Sequence, residues 1–304
     1  VLQAIATRAR RLRAGLGRDD GMKLGLVVEG GAMRGVVSGG ALLALEELGL
    51  TDAFDVGYGA SAGAINLAYF VLGRARSASR IYFDHAASPK FVNPLRVGKI
   101  LDLDFLFDEV ITQRFPIRQA DLRAASTRLF VSVTEARTGR NELLSLDDEG
   151  IDPIAALKAS AAAPFYYGRS VRVGGGDYVD GMASNALPVV EAMRDGCTHV
   201  LLLLSARPGE GSGRAVPPGQ HDIAWPERLL LLRHATGFRR AYLVRRRRLR
   251  RALSAAHLDG RVHAIHPTAA CLVPSRTCRD TSVLEAAAEA SRLRTLDALA
   301  PYLA

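Results

Sequence analysis

Residues 24–35, LGLVVEGGAMRG, and residues 56–63, VGYGASAG, place two glycine-bracketed turns one supersecondary unit apart. Each turn follows an apolar run of strand length, Leu24 to Val28 and then Val56 to Tyr58, and each precedes a run compatible with a helix. A strand, a crossover helix and a parallel strand need roughly 30 or more residues, and parallel pairing puts both carboxyl ends on one edge of the sheet. The spacing therefore predicts an α/β fold in which the loop Gly30-Gly31-Ala32-Met33-Arg34-Gly35 faces the turn Gly59-Ala60-Ser61-Ala62-Gly63.

The two turns suit different halves of one chemistry. In a GxSxG turn, small neighbours let the serine occupy a strained strand-to-helix elbow with its hydroxyl exposed, and Ala60 and Ala62 leave Ser61 unobstructed. A glycine-rich turn at a helix start leaves backbone N–H groups unpaired where the helix dipole favours negative charge, which suits the oxyanion of an acyl-transfer intermediate. The motif alone is weak in a chain with 29 glycines, because a tight turn has the same composition. A nucleotide-phosphate loop is the other reading, but Ala32 stands where GxGxxG needs its second glycine, and no Lys-Ser/Thr follows for a P-loop.

A nucleophilic serine needs a base. The segment Val171 to Gly181, VRVGGGDYVDG, reads as two short strands joined by a glycine turn, with Asp180-Gly181 at the exit. Asp-Gly is also an ordinary turn dipeptide, so locally the assignment stays open. A Ser-His-Asp arrangement is the rival, with His199, His221, His234, His257, His263 and His266 all downstream. Against it, the α/β-hydrolase elbow follows several strands, whereas about one strand and one helix precede Ser61 here.

In this order, the loop Glu29 to Gly35, the elbow Gly59 to Gly63 and the turn Asp180-Gly181 resemble the bacterial patatin-like phospholipases. A looser fourth element is Ala159-Ser160-Ala161-Ala162-Ala163-Pro164. The resemblance covers about residues 24–204 and implies a three-layer αβα fold with a mostly parallel central sheet. It implies a dyad of Ser61 as nucleophile and Asp180 as base, an oxyanion hole from Gly31, Ala32 and neighbouring amides, and Arg34 shaping that loop. It implies a lipid ester substrate and neither metal nor cofactor. Two positions depart from the family pattern. Ala32 replaces a usual third glycine, which is tolerable if its φ stays below zero, and Met182 stands where glycine or alanine is usual and is expected to narrow the cleft. An ordinary aspartate, of pKa about 3.9, is a weak base toward a serine hydroxyl, so this chemistry expects burial to raise Asp180.

Composition agrees with one compact enzyme. The chain has 304 residues, 48% hydrophobic and 23% charged, enough to bury a substantial core. Cys197, Cys271 and Cys278 are odd in number and lack CxxC spacing, which points away from a disulfide framework or zinc site and toward a cytoplasmic setting. No apolar run approaches the roughly 18–20 residues of a membrane span. Residues 1–21 read as a basic arm, flexible or a short helix, and 22–304 as the hydrolase domain, whose portion from about 222 is helical and Arg-rich.

Along the chain, Val36 to Leu48 reads as a helix and Ala62 to Leu72 as a buried one. Ala75 to Phe115 reads as helices and loops whose Phe91, Leu95, Leu103, Phe105 and Phe107 build core and cleft wall, or an acyl pocket or lid. Strands are expected at Arg128 to Ala136, Asn141 to Leu146, His199 to Leu204 and Val262 to Ile265. Further helices are expected at Ile154 to Ser160, Val189 to Arg194 and Ser282 to Leu299, and a Pro/Gly-rich surface loop at Arg207 to Gln220. Eight of the thirteen residues Arg239 to Arg251 are arginine, in a chain of net charge +9. This run reads as a solvated helix packing through Tyr242, Leu243, Leu249 and Leu253, as a patch for an anionic membrane surface, or as a nucleic-acid patch. The sequence thus points to a peripheral lipid acyl hydrolase with no obligatory nucleic acid. A small-ester or thioesterase activity on the same site, and a silent lipid- or nucleic-acid-binding regulator, are the alternatives.

Overall fold

The computed structural model describes residues 1–96, 98–207 and 231–303. Its strands are β1 Leu24–Val28, β2 Val56–Ala60, β3 Arg128–Glu135, β4 Asn141–Ser145, β5 Val171–Val173, β6 Gly176–Asp180, β7 His199–Leu203 and β8 Val262–Ile265. They form one sheet in the order β5-β6-β3-β2-β1-β7-β8, with β4 paired to β3. The run from β3 through β2, β1 and β7 to β8 is parallel, while β4, β5 and β6 join in antiparallel pairs.

Helices cover both faces: α1 Leu2–Arg13, α2 Val36–Glu47, α3 Ala62–Val71, α4 Ala75–Arg80, α5 Thr112–Arg114, α6 Gln119–Ala124, α7 Pro153–Ala161, α8 Val189–Arg194, α9 Thr236–Leu258 and α10 Thr281–Leu303. The period of two along a strand divides the core. Leu24, Leu26, Val28, Leu201 and Leu203 enter one cluster with residues of α2, α3 and α10, while Val27, Val200 and Leu202 enter another with residues of α8 and α9. This is a three-layer αβα fold with a mostly parallel central sheet. On β2 the α3-facing positions are Gly57 and Gly59. A Cβ at Gly59 would stand 2.5 Å from the Ala64 Cα, so only glycine lets α3 lie flush on the strand that feeds it.

The expected strands and helices are present with ends within about two residues, except that the closing helix runs on to Leu303. Several details differ. Leu95 is 90% exposed and belongs to neither core nor cleft wall, whereas Phe91, Leu103 and Phe107 are buried. The 75–115 region contains two π-helical stretches, Ile81–Ala86 and Phe105–Ile111. On α9 the packed stripe is Phe238, Ala241, Tyr242, Leu249 and Leu253, and Leu243 faces outward at 42% exposure. Helical spacing from Tyr242 reaches 245 and 249 but skips 243. Apart from Arg207, the Pro/Gly-rich stretch lies outside the described residues.

The basic residues at the start of the chain form α1, which packs through Leu2, Ile5, Ala6 and Ala9. Arg8 is completely buried. Its guanidinium bonds Asp20 at 2.6 Å and Asp55 at 3.1 Å, and Asp55 also accepts from the Leu24 N–H at 2.6 Å. A buried charge is tolerated only when paired in this way, so the α1 contact also holds the entrance to β1.

Candidate active site

Strand register brings the two candidate residues together. On one side of β3, β2 pairs with Arg128 through Ser132, ending at Ala60 against Ser132. The same side is then taken over by β6, running the opposite way, with Asp180 against Val133. The other side is occupied throughout by β4, which pairs with Phe130 to Thr134. Two strands therefore meet end to end at consecutive residues of β3, and the chain leaves them at Ser61 and Asp180. Gly181 makes the exit possible, because a Cβ there would lie 2.3 Å from the Ser132 carbonyl oxygen.

Ser61 sits between β2 and α3 at φ 56° and ψ −134°. Its N–H donates to Ser160 Oγ at 2.9 Å, and Ser160 Oγ donates to the Ser132 carbonyl at 2.7 Å. These bonds from α7 hold a backbone conformation that costs about 1–3 kcal/mol. Gly30 packs directly on the elbow: a Cβ on it would stand 2.4 Å from Ala60 O and 2.7 Å from Ser61 Cβ. Gly63 is similarly obliged, its Cβ position lying 2.5 Å from the Val28 carbonyl.

Among the described residues, no backbone carbonyl accepts from the amides of Gly30, Gly31 or Ala32. The loop carrying them is pinned by three hydrogen bonds, two donated by Ser205 and one accepted by residue 276. Glu29 accepts from the Ser205 N–H at 2.8 Å, Ser205 Oγ donates to Gly30 O at 2.5 Å, and Met33 N donates to Arg276 O at 3.3 Å. Ala32 does not keep the negative φ expected of it. Its φ is 53°, and among the described residues only Ser61 shares a positive φ without being glycine. The chain passes from Gly31, at φ 153°, into the short 3-10 turn Ala32–Gly35, and this entry demands a left-handed residue whatever its side chain. The small methyl of alanine bears the strain at modest cost.

Asp180 is 1% exposed. Its Oδ1 accepts from the Met182 N–H at 2.9 Å, its main-chain N–H donates to Ala162 O at 3.1 Å, and Oδ2 is buried without a hydrogen-bond partner. Burial pushes its pKa up to about 7, against the opposing pull of the Met182 N–H, the Ser61 hydroxyl and the Arg276 charge. Ser61 is thus near enough to influence the carboxyl group, although no hydrogen bond to Oδ2 is closed. A carboxylate oxygen of this kind, desolvated and without a donor, is a far better proton acceptor than an exposed one.

Ser61 and Asp180 line one cavity with residues 29–34, Ala60, Ala62 and Met182. Gly35 and Gly59 lie behind it and allow close packing. One part of the lining is apolar, from Ile65, Ile81, Phe91, Leu101, Leu103 and Leu106. Another is cationic, from Arg34, Arg245, Arg246 and Arg276, and among the described residues the acids of the wall are Glu29 and Asp180. Among the described residues, no histidine lines it. His234 packs against the rings of Phe165 and Phe238, and His263 lines a different cavity. His221 lies outside the described residues.

Sequence reasoning missed Ser205 and Arg276, and met Ser160 only as part of an alanine-rich segment. Ser205 follows β7, whose adjacency to β1 is the only reason it meets Glu29. No local pattern carries that information.

A family model for patatin-like phospholipase matches residues 26–193. Over 192 residues the chain is 31% identical to the uncharacterized protein YjjU of Escherichia coli K12, covering 60% of this chain and 51% of that protein. Over 71 residues it is 41% identical to human patatin-like phospholipase domain-containing protein 4, covering 23% of this chain and 28% of that one. The chain therefore spans about half, or less, of the curated relatives it matches. VipD from Legionella pneumophila superposes over 92% of this chain and 67% of its own, with 16% identity and a TM-score of 0.48.

Proposed function

This chain belongs to the patatin-like phospholipase family, and we propose that it is a lipid acyl hydrolase cleaving a carboxylic ester of a phospholipid or lysophospholipid through Ser61 and Asp180. The observation that supports the reading most directly is the buried, unpartnered Asp180 Oδ2 in the cavity that Ser61 lines. Asp180 takes the Ser61 hydroxyl proton as Oγ attacks the ester carbonyl. The amides of Gly30, Gly31 and Ala32 receive the developing oxyanion, the kind of preorganised donor set whose members are each worth about 100- to 1000-fold in rate. The alcohol leaves with the proton from Asp180, and the acyl group remains on Ser61. Water then attacks, Asp180 accepts its proton and returns one to Ser61 Oγ, and the free carboxylic acid departs.

The acyl chain lies along Ile65, Ile81, Phe91, Leu101, Leu103 and Leu106, which exclude water from the reacting centre. The substrate is reached from an anionic lipid surface. Arg240, Arg247, Arg250 and Arg251 are exposed on α9 beside exposed Leu243 and Val244, and the same helix lends Tyr242 and Leu249 to the cavity. Basic residues near such a surface contribute on the order of 1 kcal/mol each. Among the described residues no helix is long and apolar enough to cross a membrane.

A lipid panel with mass spectrometry of the products tests the reading. Release of free fatty acid from phospholipid or lysophospholipid, lost in Ser61→Ala, is the expected result. Turnover confined to short water-soluble esters would contradict the lipid assignment. Salt-sensitive co-sedimentation with anionic vesicles is expected of α9, and binding that ignores salt and lipid charge would count against it.

A further inference from the structure

Resting on the reading above, we infer that Arg276 forms an anion subsite in the active-site cavity and selects esters whose alcohol portion carries a phosphate. Arg276 lines the cavity that contains Ser61 and Asp180. It is half-buried, and among the described residues its guanidinium meets no acceptor, although its carbonyl is engaged by the Met33 N–H. That main-chain bond fixes residue 276 to the glycine loop, so the guanidinium is carried at the reacting centre and not on an independent flap.

Among the described residues, Arg34, Arg245 and Arg246 line the same cavity, apart from its apolar side chains. An acyl chain partitions into the apolar lining drawn from residues 65–106, which leaves the cationic lining for the alcohol portion of the ester. Guanidinium donors in a partly desolvated cavity favour a phosphate strongly over a neutral hydroxyl, through charge-assisted and commonly bidentate hydrogen bonds. The influence of Arg276 on Asp180 agrees with this placement, because its charge must lie near enough to the carboxyl group to act on it.

The test compares a lysophosphatidic acid with the monoacylglycerol of the same acyl chain, both below their critical micelle concentrations, so that surface binding does not enter. Wild-type protein is expected to favour the phosphate ester in kcat/KM by about 10-fold or more, the difference lying mainly in KM. Arg276→Gln is expected to lower that ratio about 10-fold, whatever it does to the two rates in common through Asp180, and Arg276→Lys, which keeps the charge but loses the planar fork, to lower it by less than Arg276→Gln does. A ratio left unchanged in Arg276→Gln, with wild type hydrolysing both esters, overturns this inference alone. A wild type that hydrolyses neither ester overturns the lipid-hydrolase reading and this inference with it.

Discussion

Ser61 and Asp180 meet because β2 and β6 end head to head on β3, Ala60 pairing with Ser132 and Asp180 with Val133. Their juxtaposition is a property of sheet register, not of flexible loops. Ser160 joins the same point, donating to Ser132 O while accepting from the Ser61 N–H.

Replacing Ser160 with alanine removes that acceptor and leaves a buried N–H unpaired at a strained residue. Such a loss costs about 1–3 kcal/mol, and a relaxed elbow misplaces the proposed nucleophile. Ser160→Ala is expected to lower the denaturant midpoint and to reduce kcat about 10-fold or more. Unchanged turnover would show that the elbow holds its geometry without α7.

Burial places Asp180 at about pH 7, and a general base acts in its ionised form. The logarithm of kcat/KM is therefore expected to rise with a slope near one below about pH 7 and to level off above it. A profile flat between pH 5 and pH 8 would remove Asp180 from the base role.

The same shift acts on stability, with a definite sign. The folded pKa lies above the ordinary aspartate value of 3.8, so between these values the native state holds a proton that the unfolded chain has lost. Stability from the protonated carboxyl group is thus present at low pH and is lost as pH rises through about 7. Asp180→Asn, which cannot ionise, should gain on the wild type from pH 4 to pH 8, by up to a few kcal/mol. Urea midpoints of both proteins at the two pH values check this, and an equal difference at both would contradict it.

Ala32 holds φ 53° without being glycine. The left-handed conformation costs an L-residue about 1–2 kcal/mol, and glycine returns part of that gain through its freer unfolded chain. Ala32→Gly is expected to stabilise the protein by roughly 0.5–1 kcal/mol in denaturant unfolding, and a destabilised variant would mean the methyl contributes packing that outweighs the strain.

Much of the candidate site's geometry was legible because it rests on contacts that only glycine permits. Gly30, Gly59, Gly63 and Gly181 each lie where a Cβ would collide with main chain, so the two glycine turns and the Asp-Gly exit stand out in the sequence. The αβα alternation was legible for a related reason: apolar runs of strand length are separated by helix-length segments. What depends on strand order was not. Ser205 reaches Glu29 only because β7 neighbours β1, and Arg276 enters the cavity across more than two hundred residues of chain from the glycine loop that it touches. The outward turn of Leu243 and the exposure of Leu95 show the limit of composition, since an apolar residue on the wrong side of a helix or in an open turn looks like any other. The sign of φ at Ala32 was beyond local reading too, because the pinned loop imposes it.

The proposed hydrolysis requires that Ser61 be the nucleophile and Asp180 its base. Labelling with a fluorophosphonate, followed by mapping of the adduct and measurement of its rate, tests this most directly. The predicted result is one adduct on Ser61, absent in Ser61→Ala and formed at least about 100-fold more slowly in folded Asp180→Asn. An adduct on another residue, or Asp180→Asn labelled at the wild-type rate, would contradict it.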